Sequence, residues 1–163
     1  MLKPNVLAAL NKQIQHELTA QHNYLALSVW FDQELLKGFA AYMKKQAGEE
    51  NTHAMKILDY VQDSNGKVTL MAIDAPKTAF ASPLEAVQHA RALEKKNTAM
   101  IHECCHLAVQ EKDLATQQML QWFIEEQVEE EKWTEDFVAM LEKIQGHIGS
   151  LFMFDHRVSK MAE

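Results

Sequence analysis

The sequence predicts an all-α fold in which four long helices form a bundle, one long crossover joins the second to the third, and a short fifth helix ends the chain. Three observations carry this reading. Apolar residues recur at steps of three and four through four long stretches, as they do on a helix with one buried stripe. Only five Gly and three Pro occur among 163 residues, and they gather where those stretches stop. The segment 65–82 has no helical period and is long for a simple turn, which suits a crossover running the length of a bundle.

The first helix is expected over 5–33, with a seam of Leu10, Ile14, Glu17, Gln21, Tyr24, Ser28 and Phe31. After a turn near Lys37-Gly38 the second runs over 39–64, its seam being Phe39, Met43, Gln46, Glu50, His53, Ile57 and Tyr60. Ser64-Asn65-Gly66 ends it in the manner of a helix C-terminus. Ser82-Pro83-Leu84-Glu85 opens the third helix, 83–111, with Ser as N-cap, Pro at the first helical position and Glu at the third; its seam is Val87, Glu94, Ile101 and Ala108. Lys112-Asp113 forms a corner before the fourth helix, 114–143, whose seam is Leu120, Phe123, Gln127, Glu130, Thr134, Phe137 and Leu141. Gly146 and Gly149 break it, and the fifth helix covers 150–160.

At 163 residues the chain fits one domain, 1–163, with a single core. Hydrophobic residues make up 47% and charged residues 24%, and no apolar run approaches the ~18–20 residues that cross a bilayer. No membrane is expected. Met1-Leu2-Lys3-Pro4 leads directly into an amphipathic pattern without an apolar signal core, so a cytoplasmic location is expected. Sixteen basic against 23 acidic residues give a net charge of −7, which disfavours nucleic acid and is compatible with cations. Cys104 and Cys105 are sequence neighbours, unable to form a CxxC zinc or redox pair, and read as reduced packing residues.

Each seam is interrupted by polar groups near its middle. Glu17, Glu50, Glu94 and Gln127 all lie ~11–13 residues from their helix starts, about 18 Å along at ~1.5 Å per residue, and therefore meet at one height. Glu50 and His53, three apart, project from one helix face. Glu-x-x-His alone is usually a solvated pair. Several carboxylates buried together without partners, however, cost several kcal/mol each, so cations or protons must compensate them. Carboxylate oxygens suit hard divalent cations, and one imidazole moves the preference toward iron, manganese or zinc over calcium. Two metals are the natural count, with the central Glu50 able to bridge them at ~3.5–4 Å.

Other residues carry competing readings. Tyr24 is either an ordinary core tyrosine or, beside a redox metal pair, a donor of a hydrogen bond or an electron. The run Glu125, Glu126, Glu129, Glu130, Glu131 would usually be a solvated face, although its mutual repulsion leaves room for a cation. Glu103 with His106, and His102 with His106, repeat ligand spacings but lie well off the seam residue Ile101. His22, His89, His147 and His156 have no carboxylate at ligand spacing and read as polar side chains on the surface.

The chain resembles the bacterial non-haem ferritins over essentially its whole length. The resemblance rests on Met1-Leu2-Lys3-Pro4, on Gln46 to His53 (QAGEENTH), on Leu120-Gln121-Trp122-Phe123 and on Glu126-Gln127-Val128-Glu129-Glu130-Glu131-Lys132. It implies a ferritin-like bundle with a ferroxidase centre: Glu17, Glu50 and His53 on one iron, Glu50, Glu94 and Glu130 on the other, with Gln127 close by and Tyr24 alongside. It further implies a third iron position at Glu49, Glu126 and Glu129 with Glu130, and a hollow homo-oligomeric shell of 24 subunits storing ferric mineral, with O2 or H2O2 as oxidant. Bacterioferritins repeat Glu-x-x-His on the fourth helix, where this chain has Gln127-x-x-Glu130, and place a haem-ligating Met directly after the second-helix Glu, where this chain has Asn51. No haem is expected. Rubrerythrin-like proteins add a four-cysteine iron domain, whose cysteines this chain lacks, and neither the ligands between subunits nor the Lys-rich tail of the DNA-protecting ferritins is visible. A non-catalytic bundle with buried acids neutralised by hydrogen bonds, and a di-iron oxygenase or peroxide scavenger, are the rival classes.

Overall fold

A computed structural model describes residues 2–163. Five helices follow one another: α1 (Pro4–Gln33), α2 (Lys37–Asp63), α3 (Pro83–Gln110), α4 (Leu114–Ile144) and α5 (Ile148–Met161), with no strand among the described residues. Short corners fold α1 on α2 and α3 on α4 as two hairpins; α1 packs on α3 to join them, and α5 lies against α2 and the end of α4. This is the four-helix bundle with a crossover and a short fifth helix that the sequence predicts.

Local chemistry explains where the helices begin and end. Pro4 sits at the first helical position of α1, where a missing N–H costs nothing. The first corner falls on Glu34, Leu35 and Leu36, with Leu35 at φ 61°, so α2 starts at Lys37 and takes in Gly38 instead of breaking there. Its start is capped from far away: Asp155 of α5 accepts from Gly38 N at 3.0 Å and Phe39 N at 2.8 Å, satisfying amides that have no partner within the helix. The approach is so close that a Cβ on residue 38 would lie 1.9 Å from the Asp155 carbonyl oxygen. At the other end of α2, Asn65 takes the left-handed conformation (φ 56°) and Gly66 N donates to Val61 O at 2.8 Å.

Ser82 Oγ accepts from Glu85 N at 3.1 Å to open α3, and Asp113 Oδ1 accepts from Thr116 N at 3.1 Å to open α4 after Lys112, at φ 53°. Gln145 (φ 48°) and Gly146 (φ 75°) stop α4. Gly149 does not act as a breaker: His147 caps α5 through Ser150 N, so the helix starts at Ile148 with Gly149 inside it. Residues 64–82 lie along α1, where Asn11 donates to Lys67 O at 3.1 Å and accepts from Thr69 N at 2.7 Å, and Gln15 donates to Ala72 O at 2.5 Å. These side chains supply the partners that irregular backbone lacks.

The core divides in two. One end is aromatic, with Phe31 stacked on Phe39 at 4.9 Å between ring centroids and Phe154 of α5 edge-on to Phe39 and Phe137, each at 5.3 Å. The other is mainly aliphatic: Val6, Leu10, Ile14, Ile57, Val61, Ile101 and Leu120. Cys104 packs there as a free thiol that burial pushes up to about 12. Between the two ends lies a buried polar layer.

Candidate metal centre

The layer is built by one or two turns from each helix of the bundle. α1 contributes Gln13 and Glu17, α2 contributes Gln46, Glu50 and His53, α3 contributes Glu94 and Asn97, and α4 contributes Gln127 and Glu130; all are at most 4% exposed. Helical spacing turns each of these side chains inward beside apolar neighbours of the same seam, so the packing that buries Ile14, Ile57, Ile101 and Phe123 buries the carboxylates with them.

Three of the four carboxylates are held by neutral donors. Glu17 Oε1 accepts from Gln13 Nε2 at 2.7 Å and its Oε2 from Asn97 Nδ2 at 3.2 Å. Glu94 Oε1 accepts from the Tyr24 hydroxyl and its Oε2 from Gln127 Nε2 at 3.3 Å. On Glu130 both donors fall on Oε2: Gln46 Nε2 at 2.7 Å and Trp133 Nε1 at 2.6 Å. Glu50 differs. Both of its oxygens, and Nδ1 of His53, are buried without a hydrogen-bond partner. Glu50 Oε2 lies 3.5 Å from His53 Nδ1, which lies 3.9 Å from Glu17 Oε2.

Burial dominates the electrostatics. It lifts Glu17 well above the usual carboxylate range, with repulsion from Glu50 adding to it, and lifts Glu50 likewise, with repulsion from Glu94. Glu94 and Glu130 are pushed up to about 7, again mainly by burial, against the pull of their hydrogen-bond donors. The Tyr24 phenol is raised as well, by burial and then by Glu94. A positive ion in the layer would reverse each of these shifts.

Ligand atoms converge in two groups. Glu17, Glu50 and His53 bring one atom each to within 4.8 Å of one another, and so do His53, Glu126 and Glu130. Metal–ligand bonds of ~2.0–2.2 Å put donor atoms up to about 4 Å apart, so both groups need only small side-chain movements to hold an ion. Glu94 faces the same layer, with both oxygens already engaged. Of the candidates for a third position, Glu126 is half-buried and joins His53 and Glu130, whereas half-buried Glu49, 3.9 Å from Lys45, and exposed Glu129 belong to neither group. His53 is oriented by Trp122 and Phe123, edge-on at 5.3 and 6.0 Å.

The remaining candidates separate cleanly. His102, Glu103 and His106 are exposed, as are His22, His147 and His156, and half-buried His89 meets Asn23 Oδ1 at 3.1 Å. Sequence reasoning overlooked Gln13, Asn97 and Trp133, which hold the carboxylates in place. Each lies one helical turn from the acid it holds or neighbours (Gln13 from Glu17, Asn97 from Glu94, Trp133 from Glu130), and that spacing was the available signal.

A family model described as a ferritin-like domain matches residues 7–144. The chain is similar to a protein named bacterial non-heme ferritin in Staphylococcus aureus (strain USA300), at 37% identity over 155 residues, 95% of this chain and 93% of that one. Its counterpart in Staphylococcus saprophyticus is also 37% identical, over 98% of this chain and 95% of the relative. Among solved structures, an open pore ferritin from the hyperthermophilic archaeon Archaeoglobus fulgidus superposes with a TM-score of 0.96 at 39% identity, covering 98% of both chains.

Proposed function

The chain belongs to the ferritin family, an iron-storage family, and on that footing we propose that its buried Glu/His layer is a ferroxidase centre whose product is stored as ferric mineral. The observation that carries this is the pairing of Glu50, both oxygens unpartnered, with His53 Nδ1, also unpartnered, inside a layer whose other carboxylates, Glu17, Glu94 and Glu130, all accept hydrogen bonds. A buried carboxylate without partners is costly, and a divalent ion removes that cost. Iron is the substrate here.

One Fe(II) is taken by Glu17, Glu50 and His53, and a second by Glu50, Glu94 and Glu130, with Glu50 bridging. Binding expels the protons that burial otherwise keeps on these carboxyls. Each Fe(II) gives one electron, so the pair reduces O2 with two protons to H2O2, or H2O2 with two protons to two waters. Tyr24 and Gln127 hold Glu94 in position, and Gln46 and Trp133 do the same for Glu130, so that the second ion meets pre-set oxygens. Oxygen-rich ligation suits Fe(III), which supplies driving force, and carboxylates bound through one oxygen release the product. Glu126, with Glu49 and Glu129 nearer the surface, forms a third position beside the pair.

Storage extends this reading to an assembly of 24 copies enclosing the mineral, in the cytoplasm. No helix among the described residues is long and apolar enough to cross a membrane.

The test is aerobic mixing of the iron-free protein with Fe(II), following ferric absorbance and O2 or H2O2 consumption. A rapid phase that saturates near two irons per chain, and that disappears in Glu17→Ala and His53→Ala, is expected. Variants oxidising Fe(II) at the wild-type rate would refute the centre, and sedimentation showing only monomers or dimers would refute the shell while leaving the centre intact.

A further inference from the structure

The geometry points to Asn97 as a positioning residue that fixes the Gln127 amide with its nitrogen on Glu94, keeping the Gln127 carbonyl oxygen away from the metals. This rests on the two-iron reading of the layer.

An amide nitrogen donates and a carboxyl oxygen accepts, and the contacts to Glu17, Glu94 and Glu130 give the amides of the layer their direction. Glu17 requires a donor from Gln13, so Gln13 turns Nε2 toward it, and the same nitrogen meets Asn97 Oδ1 at 2.5 Å. Asn97 then presents Nδ2 on its other side, to Glu17 Oε2 at 3.2 Å and to Gln127 Oε1 at 3.3 Å. With its oxygen engaged by Asn97, Gln127 turns Nε2 toward Glu94 Oε2 at 3.3 Å and Thr98 Oγ1 at 3.2 Å. The Thr98 hydroxyl, accepting there, donates onward to Glu131 Oε1 at 2.5 Å. A directional chain runs from the Gln13 amide through Asn97, Gln127 and Thr98 to Glu131, with Glu17 accepting beside its start from both Gln13 and Asn97.

Asn97 is the link at which the chain crosses from Glu17, on the first iron position, to Gln127, which serves Glu94 on the second. It is 1% exposed and touches the converged ligand residues only through its hydrogen bond to Glu17 Oε2. Without its Nδ2, the Gln127 carbonyl loses its partner, and the amide is free to turn over. Its oxygen would then approach the second position as a neutral ligand, and Glu94 would lose a donor.

Co(II) titration of the full-length protein tests this, because Co(II) occupies similar sites and its visible spectrum reports ligand number and type. Wild type should take at least two Co(II) per chain, with a third equivalent assigned to the Glu126 position. Asn97→Leu should weaken metal binding about 10–100-fold, the usual effect of removing an outer partner of a ligand, with a changed spectrum. Asn97→Asp, nearly isosteric, offers only acceptors; Gln127 then gives its nitrogen to the aspartate, and the spectrum changes in a way that adding Gln127→Leu abolishes. Should Asn97→Leu fail to fold, Asn97→Asp decides alone. Folded variants with wild-type isotherms and spectra overturn the proposal, and a lowered melting temperature with both unchanged does so too, by reducing Asn97 to a packing residue. Wild type binding fewer than two Co(II) per chain instead refutes the two-metal reading, and the role of Asn97 with it.

Discussion

Tyr24 of α1 donates its phenol hydrogen across the bundle to Oε1 of Glu94 on α3, while Gln127 of α4 holds the other oxygen of the same carboxylate. In Tyr24→Phe, Glu94 keeps one donor and gains freedom to rotate. Fe(II) oxidation is expected to slow by roughly tenfold or more, with the iron stoichiometry retained. Stopped-flow ferric absorbance reads the rate, and an unchanged rate would leave Tyr24 as a core residue only.

Glu50 should trade stability for function. Glu50→Met removes two unpartnered buried oxygens at similar volume, and replacing a buried polar group that has no partner by an apolar one removes its desolvation cost without opening a cavity. The metal-free variant should therefore melt at or above the wild-type temperature while the rapid two-iron phase is lost. Calorimetry showing clear destabilisation of the metal-free variant would contradict this account of Glu50.

The metal-free protein should lose stability as pH rises from about 4.5 toward about 7. Glu94 and Glu130 titrate near 7 in the folded chain against 4.5 for a free carboxyl, and Glu17 and Glu50 are raised as well. The folded state thus binds more protons than the unfolded chain across that window, and raising the pH favours unfolding. His16 works in the opposite sense. Burial and Lys96 hold it down to about 4 from 6.5, and burial lowers His89 as well, so their contributions grow with pH over that range, but they are two groups against five, since burial also raises Glu49. Added Zn(II) should stabilise more at pH 7 than at pH 5, because ligands must release protons to bind it. A chelated sample whose melting temperature climbs steadily from pH 4.5 to 7 would contradict the direction argued here.

Asp155 should matter to the α2–α5 joint and not to the metals. Asp155→Ala removes the acceptor for Gly38 N and Phe39 N, a capping loss of about 1–2 kcal/mol. Gly38→Ala should be worse, since the added carbon overlaps the Asp155 carbonyl. Both should lower the melting temperature and expose α5 to protease, with Co(II) binding unchanged. Wild-type protease resistance in both variants would argue against the joint.

Much of this was legible in the sequence because helical periodicity is a local property. Glu17, Glu50, His53, Glu94 and Glu130 stand out as acids and an imidazole at positions where Leu or Ile would continue the seam, and a common height follows from helix rise alone. Gln13 and Asn97 do not stand out. An amide on a buried face reads like an amide on a wet one until a carboxylate is known to face it. Asp155 is 117 residues from Gly38, so neither position signals the other, and Gly38 reads as a helix stop until the capping carboxylate is seen. Gly149 misled for the same reason in reverse, since His147 starts α5 ahead of it.

The three tryptophans of the chain are distributed so that the protein carries its own optical reporter. Trp133 donates its indole N–H to Glu130, Trp122 lies edge-on to His53, and Trp30 is packed among Phe31 and Phe80 in the aromatic end. Two of the three emitters are thus wired to opposite edges of the carboxylate layer and one is remote from it. Quenching by a paramagnetic ion should fall on the first two and spare the third, so single-tryptophan variants could follow filling at either edge separately, in real time and without a label.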